Sequence, residues 1–252
     1  MNAIIFATTG TSVLTNQEIG DVVVREKVAV VVREKGAQLR SDVRTYLRPT
    51  APELRERRAA ELDLEQRLTE AHEAYFRQEF STCLEPRNYP MSAAELTSMP
   101  ALLEAIRERG ETLGRLVLLA SDTPEGKLAA RVVQRVLSTP ACFQLDAAVE
   151  VAKIPGLNAT FENQLERLGG AIDEHKRQVA PPRRVYINLT GGFKGTVPFL
   201  TQLAWMHGYA LYYQHEVQSR SEIVELPGAQ AAPDAQNKVT LVPAAARYPR
   251  RE

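Results

Sequence analysis

The stretch from Val185 to Gly195, VYINLTGGFKG, constrains the fold most, because its character changes three times over a short span. Val185, Tyr186 and Ile187 are β-formers in an apolar run that suits a buried strand. Gly191 and Gly192 permit positive φ or close backbone approach, and Phe193 to His207 read as a helix. Strand, glycine turn and helix in succession gather backbone N–H groups, the positive end of a helix dipole and Lys194 at one spot. An anion such as a phosphate would be stabilised there. The turn matches neither G-x-G-x-x-G nor G-x-x-x-x-G-K-[ST], so on local evidence a plain turn stays open as the alternative.

The same pattern recurs along the chain. Ala3 to Thr9 (AIIFATT) reads as a buried strand, followed by a turn at Gly10, Thr11 and Ser12. A glycine turn directly after a first strand is where doubly wound sheets hold ligands, although Thr11 and Ser12 serve equally well as a helix cap. Asn16 to Lys35 is read as a helix, despite its valines. Arg115 to Ala120 is a second strand, and the following SDTPEGK brings hydroxyl, carboxylate and lysine groups to the same edge, with Pro124 suited to a first helical turn. Ala147 to Ile154 reads as a third strand, with Lys153 near its end, and Thr160 to Val179 as a helix interrupted at Gly169 and Gly170. Trp205, on the helix after the opening strand, reads as core. Tyr209 to His215, Ser221 to Leu226 and Lys238 to Val242 close the sheet as a hairpin, with a loop between Pro227 and Gln236 and a frayed tail from Arg247.

Residues 36–110 differ in kind: they hold 11 Arg, no Lys and 13 acidic residues, alternating in charge as an exposed helix does, above all from Pro52 to Phe80. Ser92 and Glu95 have the spacing of a capping box for a helix towards Arg109. The succession implies an α/β, Rossmann-like fold: a mostly parallel sheet with helices on both faces, a helical insertion after the first βα unit, and a C-terminal β-hairpin. The expected core spans residues 1–35 and 111–252, and the insertion 36–110 is either packing or dimer contact, or a lid.

Composition excludes several classes. The 31 basic and 31 acidic residues cancel, so no global field draws long nucleic acid or a membrane surface. Cys83 and Cys142 lie far apart, which argues against a zinc site or disulfide scaffold and fits a cytoplasmic setting. No signal peptide or membrane-spanning run is expected, and His72, His175, His207 and His215 lack metal-binding spacing, so neither a metal nor a cofactor is expected.

TTGTSVLTN at Thr8 to Asn16, LLASDTPEG at Leu118 to Gly126 and NLTGGFKG at Asn188 to Gly195 together resemble the CRISPR-associated Rossmann fold (CARF) family, and more narrowly its stand-alone ring-nuclease members. IPGLN at Ile154 to Asn158 resembles the family's loop after the third strand, whereas the insertion carries no matching motif. The resemblance implies a homodimer that binds cyclic oligoadenylate, the second messenger of type III CRISPR complexes, across its interface. It implies a ligand site of Gly10, Thr11, Ser12, Asp122, Thr123, Thr190, Gly191, Gly192, Phe193 and Lys194, with Lys194 and Ser12 as the catalytic pair. Ring nucleases cut the messenger without metal and switch the antiviral response off, leaving linear products with a 2′,3′-cyclic phosphate. With no histidine in these motifs, acid-base help would be modest and turnover slow.

Two rivals stand beside this reading. A sensor without catalysis uses the same motifs but generally carries an effector, often a ribonuclease with R-x(4-6)-H; Arg67 and His72 match that spacing, as charged helices do by chance. About ten residues follow Val242, so no appended effector is expected. A Rossmann-type enzyme for a small nucleotide lacks its G-x-G-x-x-G after the first strand.

Overall fold

The structure is a computed structural model that describes residues 1–15, 29–48, 51–77, 93–157, 163–181, 183–192, 194–214, 221–225 and 240–244. The start of the helix expected at Asn16, the capping residue Ser92, Phe193, Asn158, the loop after Pro227 and the tail from Arg247 lie outside the described residues.

The apolar runs become strands because both faces of the sheet are covered. Five parallel strands, β1 (Asn2–Thr8), β2 (Thr112–Ser121), β3 (Val149–Ile154), β4 (Arg183–Asn188) and β5 (Ala210–Gln214), are continued by antiparallel β6 (Ser221–Glu225) and β7 (Thr240–Ala244). The order is β3-β2-β1-β4-β5-β6-β7, a Rossmann-like arrangement. Pro243 sits in β7, which ends the described sheet, and proline in sheets is tolerated at such edge strands. The chain leaves β1 towards β2 and returns to β4 on the other side of β1, so the switch in direction falls between neighbours β1 and β4. Ligands of open α/β sheets bind outside the carboxyl ends of the strands at such a switch.

Alternation along β1 divides the core. Ile4 and Phe6 pack with Val117, Leu119 and Ile187 beneath α8 (Gln164–Arg177) and α9 (Val197–His207). Ala3, Ile5 and Ala7 face the opposite layer. That layer holds α7 (Pro124–Leu137), whose buried Leu128, Val132, Val136 and neighbours recur at helical spacing. Helices of the expected insertion complete it: α2 (Ala29–Leu47), α3 (Pro52–Glu61), α4 (Leu64–Phe76), α5 (Ala94–Thr97) and α6 (Met99–Glu108), while α1 (Ser12–Thr15) is one short turn after β1. Leu64, Leu68, Leu96, Met99 and Leu102 are fully or almost fully buried in the same core as β1 and α7, at about 1.5–3 kcal/mol of transfer energy per large side chain. α2 runs continuously through residues 35 and 36.

Three local expectations change. α8 is unbroken across Gly169 and Gly170; a methyl group on Gly169 would lie 3.3 Å from Leu203 Cδ2 of α9, so this glycine serves close helix packing, not an interruption. The helix expected from Phe193 begins at Val197, with Pro198 in its first turn and a 3-10 turn over Lys194–Thr196 before it. Trp205 is 45% exposed and is not core.

Candidate functional site

The site grows from the carboxyl ends of β1 and β4. Thr8 Oγ1, at the end of β1, donates to the Gly191 carbonyl, which ties the first turn to the glycine turn. Both turns then approach so closely that side chains are excluded. A Cβ on Gly10 would stand 2.9 Å from Gly192 Cα, and one on Gly192, whose φ is +87°, would stand 2.5 Å from Thr8 Cβ.

Into this junction α5 inserts Glu95. Its side chain is fully buried. Oε1 accepts the N–H of Gly10 at 2.6 Å and of Gly192 at 3.1 Å, and Oε2 accepts the Ser12 hydroxyl at 2.6 Å. The backbone cradle formed by the two glycine turns is therefore occupied by a carboxylate of the chain itself. Neighbouring bonds hold α5 in place: Asn188 Nδ2 donates to Ser98 Oγ at 2.8 Å, while Asn188 Oδ1 accepts the Thr190 N–H at 3.0 Å.

The other expected site residues divide into two groups. Thr11, Ser12 and Lys194 reach the surface, Ser12 only in part, and Lys194 Nζ lies 6.0 Å from the ring centre of Tyr213. Gly191 and Thr190 are buried, and the Thr190 hydroxyl accepts the Gln214 N–H at 3.0 Å, joining the turn to β5. Thr123 caps α7 by accepting the Gly126 N–H at 3.1 Å, and Asp122 accepts the Gly156 N–H at 3.1 Å, which fastens the end of β2 to the loop after β3. Lys153 lines a separate cavity of about 620 Å³ with Tyr46, Glu56, Glu65, Lys127 and Arg131. There Lys127 pairs with Glu56 at 3.0 Å and Arg131 with Glu65 at 2.6 Å, so much of the positive charge is already answered.

Arg67 and His72 form no exposed pair. Arg67 donates to Asp42 at 2.5 Å and to the Leu62 carbonyl at 3.2 Å. His72 is buried, and its Nε2 faces the Val13 carbonyl at 3.2 Å; a carbonyl only accepts, so Nε2 carries the hydrogen. Burial pushes the imidazole down to about 4, against a weaker opposing effect of that bond, so it is neutral at physiological pH. His72 thus joins α4 to the backbone just beyond Ser12.

By its spacing from Ser92, Glu95 reads as a helix-capping residue. A helix-cap spacing was visible, but the carboxylate is spent on Gly10, Ser12 and Gly192 instead. The available signal was its setting, a single carboxylate between Ala93, Ala94 and Leu96 in a segment otherwise destined for the core.

A family model described as CRISPR-associated protein (Cas_APE2256) matches residues 90–229, more than half of the chain. The matched span takes in Glu95, the end of β2 and the Gly191–Gly192 turn, and begins after Gly10 and Ser12. None of the curated proteins compared matches the chain. Among the described residues, no helix is long and apolar enough to cross a membrane.

Proposed function

This chain belongs to the Cas_APE2256 family of CRISPR-associated proteins, and from that premise we propose that it is a ring nuclease. It binds cyclic oligoadenylate, with cyclic tetra-adenylate as the first candidate, across a homodimer interface, and cleaves it to end type III CRISPR signalling. The observation that carries this reading is the meeting of two turns at the β1/β4 switch: Ser12 follows one, and Lys194 stands two residues beyond Gly192 in the other.

The chemistry asks little of the protein beyond alignment and charge stabilisation. The ribose 2′-oxygen bonds to the adjacent phosphorus while the P–O5′ bond breaks. The 2′-hydroxyl loses its proton and the departing 5′-oxygen gains one, leaving a 2′,3′-cyclic phosphate and a 5′-hydroxyl. Lys194, exposed and cationic, stabilises the charge that grows on the phosphoryl oxygens. Ser12 orients the ligand through ribose or phosphate.

The test incubates radiolabelled cyclic tetra-adenylate with the protein in EDTA. Linear products ending in a 2′,3′-cyclic phosphate are expected from the wild type. Lys194→Ala should lower the single-turnover rate by about 100- to 1,000-fold, the usual loss for one donor to a developing oxyanion. Tight binding with an intact ring after hours would replace the nuclease by a non-catalytic sensor that regulates a partner.

A further inference from the structure

We infer that Glu95 is a positioning residue that fixes the polarity of Ser12: it takes the Ser12 hydrogen and so presents the Ser12 oxygen to the ligand as an acceptor, suited to a ribose 2′-hydroxyl and not to a phosphate oxygen. The inference rests on the reading of the ligand as a cyclic oligoribonucleotide.

A serine hydroxyl has one hydrogen and two lone pairs, whereas a carboxylate only accepts. The 2.6 Å separation of Ser12 Oγ and Glu95 Oε2 is that of a charge-assisted O–H···O bond, so the hydrogen lies on this line. What Ser12 turns towards its partly open side is then lone pairs. A phosphate oxygen there meets another acceptor beside a buried negative charge; a ribose hydroxyl brings its own hydrogen.

Glu95 has no easy way to release that hydrogen. Its other oxygen is held by Gly10 N–H and Gly192 N–H, and the side chain is fully buried. Gly191 has no side chain where the Glu95 carboxyl group passes, and Ser98, three residues on, is bonded to Asn188 at the end of β4. The Gly192 N–H, which the sequence alone would give to a phosphate, donates to Glu95 instead. Two tasks are thereby separated: Ser12 reads the sugar, and the phosphate charge falls to Lys194.

Two analogues of the cyclic tetra-adenylate ring decide the matter, one with 2′-amino groups, which donate, and one with 2′-fluoro groups, which cannot. Neither has a 2′-oxygen to attack phosphorus, so equilibrium binding can be read directly. At mildly alkaline pH, where the amines are neutral, the wild type is expected to bind the amino ring about a hundredfold more tightly, about tenfold for the hydrogen bond that each Ser12 of the dimer accepts. Ser12→Ala should bring the ratio to about one. In Glu95→Gln the amide oxygen can still accept from the two glycines, which leaves the amide NH₂ donating to Ser12 and turns the Ser12 hydrogen to the ligand. The ratio should then fall to one or invert. A purely structural role for Glu95 would weaken both rings alike. Equal wild-type affinities, or a Glu95→Gln ratio equal to the wild-type one, overturns the inference while the ring-nuclease reading stands if the natural ring is bound and cut. Failure of the natural ring and both analogues to bind removes both. Should Glu95→Gln not fold, a wild-type ratio of one, or a ratio that survives Ser12→Ala, still overturns the inference.

Discussion

Gly191 and Glu95 occupy one space: a methyl group on Gly191 would lie 2.6 Å from Glu95 Oε1 and closer still to the carbons behind it. The carboxylate has no slack to yield, being fully buried and bonded to Gly10, Ser12 and Gly192. Gly191→Ala is therefore expected to lose about 1–3 kcal/mol, as overpacked sites do. The control is Gly170→Ala in α8, where an added methyl meets nothing within 4 Å and a better helix former should gain up to about 1 kcal/mol. Denaturant midpoints measure both; a wild-type midpoint for Gly191→Ala would mean that Glu95 is not held as described.

The strands were legible because β1, β2 and β4 are covered on both faces and so appear as apolar runs, and the turns because glycine is required wherever β1 and β4 let their loops cross. The onset of α9 was less legible: Phe193 and Lys194 carry no breaker, whereas Pro198 fits only the first turn of a helix that starts at Val197. Glu95 showed in sequence only as a lone carboxylate in an apolar segment, which does not name its partners. Its partners Gly10 and Gly192 stand 85 and 97 residues away, and no local spacing reports such a bond. The insertion showed its charged surface in sequence, but its larger contribution is the apolar face it adds to the core.

That contrast between charge and apolar contact predicts an unequal pair of substitutions in α4. Glu65 meets Arg131 at 2.6 Å and Arg135 at 2.8 Å, yet the arginine side chains are 49% and 59% exposed. Such pairs are worth roughly 0–1 kcal/mol and weaken with salt. Leu68, one turn further along α4, is 1% exposed in the main core. Leu68→Ala should cost about 2–5 kcal/mol and show no salt dependence, while Glu65→Ala should cost under about 1 kcal/mol at low salt and less at high salt. Equal losses would mean that ion pairs, not packing, fasten these helices to α7.

His72 gives the fold a pH limit. Its folded value is lowered to about 4 from 6.5, so between these values the unfolded chain takes up a proton that the folded one refuses. Stability from this residue is complete above about pH 6.5 and declines as pH falls towards 4, by about 3 kcal/mol in all at 1.36 kcal/mol per unit. Below about 4 both forms are protonated and the loss levels off. Unfolding free energies at pH 7, 6, 5 and 4 should trace this slope, and His72→Gln, which can still donate to the Val13 carbonyl, should flatten it. A slope unchanged in the variant would assign the acid sensitivity to other groups.

The proposed site is two-fold, and this sets the last expectation. A ring of four adenylates has the symmetry of a dimer, so two copies of the Gly10–Ser12 turn and of Lys194 would face it from equivalent positions. One copy alone offers Ser12 and Lys194 to only one side of the ring. Light scattering should accordingly give twice the 28.0 kDa chain mass, with or without cyclic tetra-adenylate. Titration should saturate at one ring for two chains, since both copies of the site are spent on the same ligand. A particle of single-chain mass in both conditions, or saturation at one ring for each chain, would rule out the shared site and confine any cleavage to the residues of one protomer.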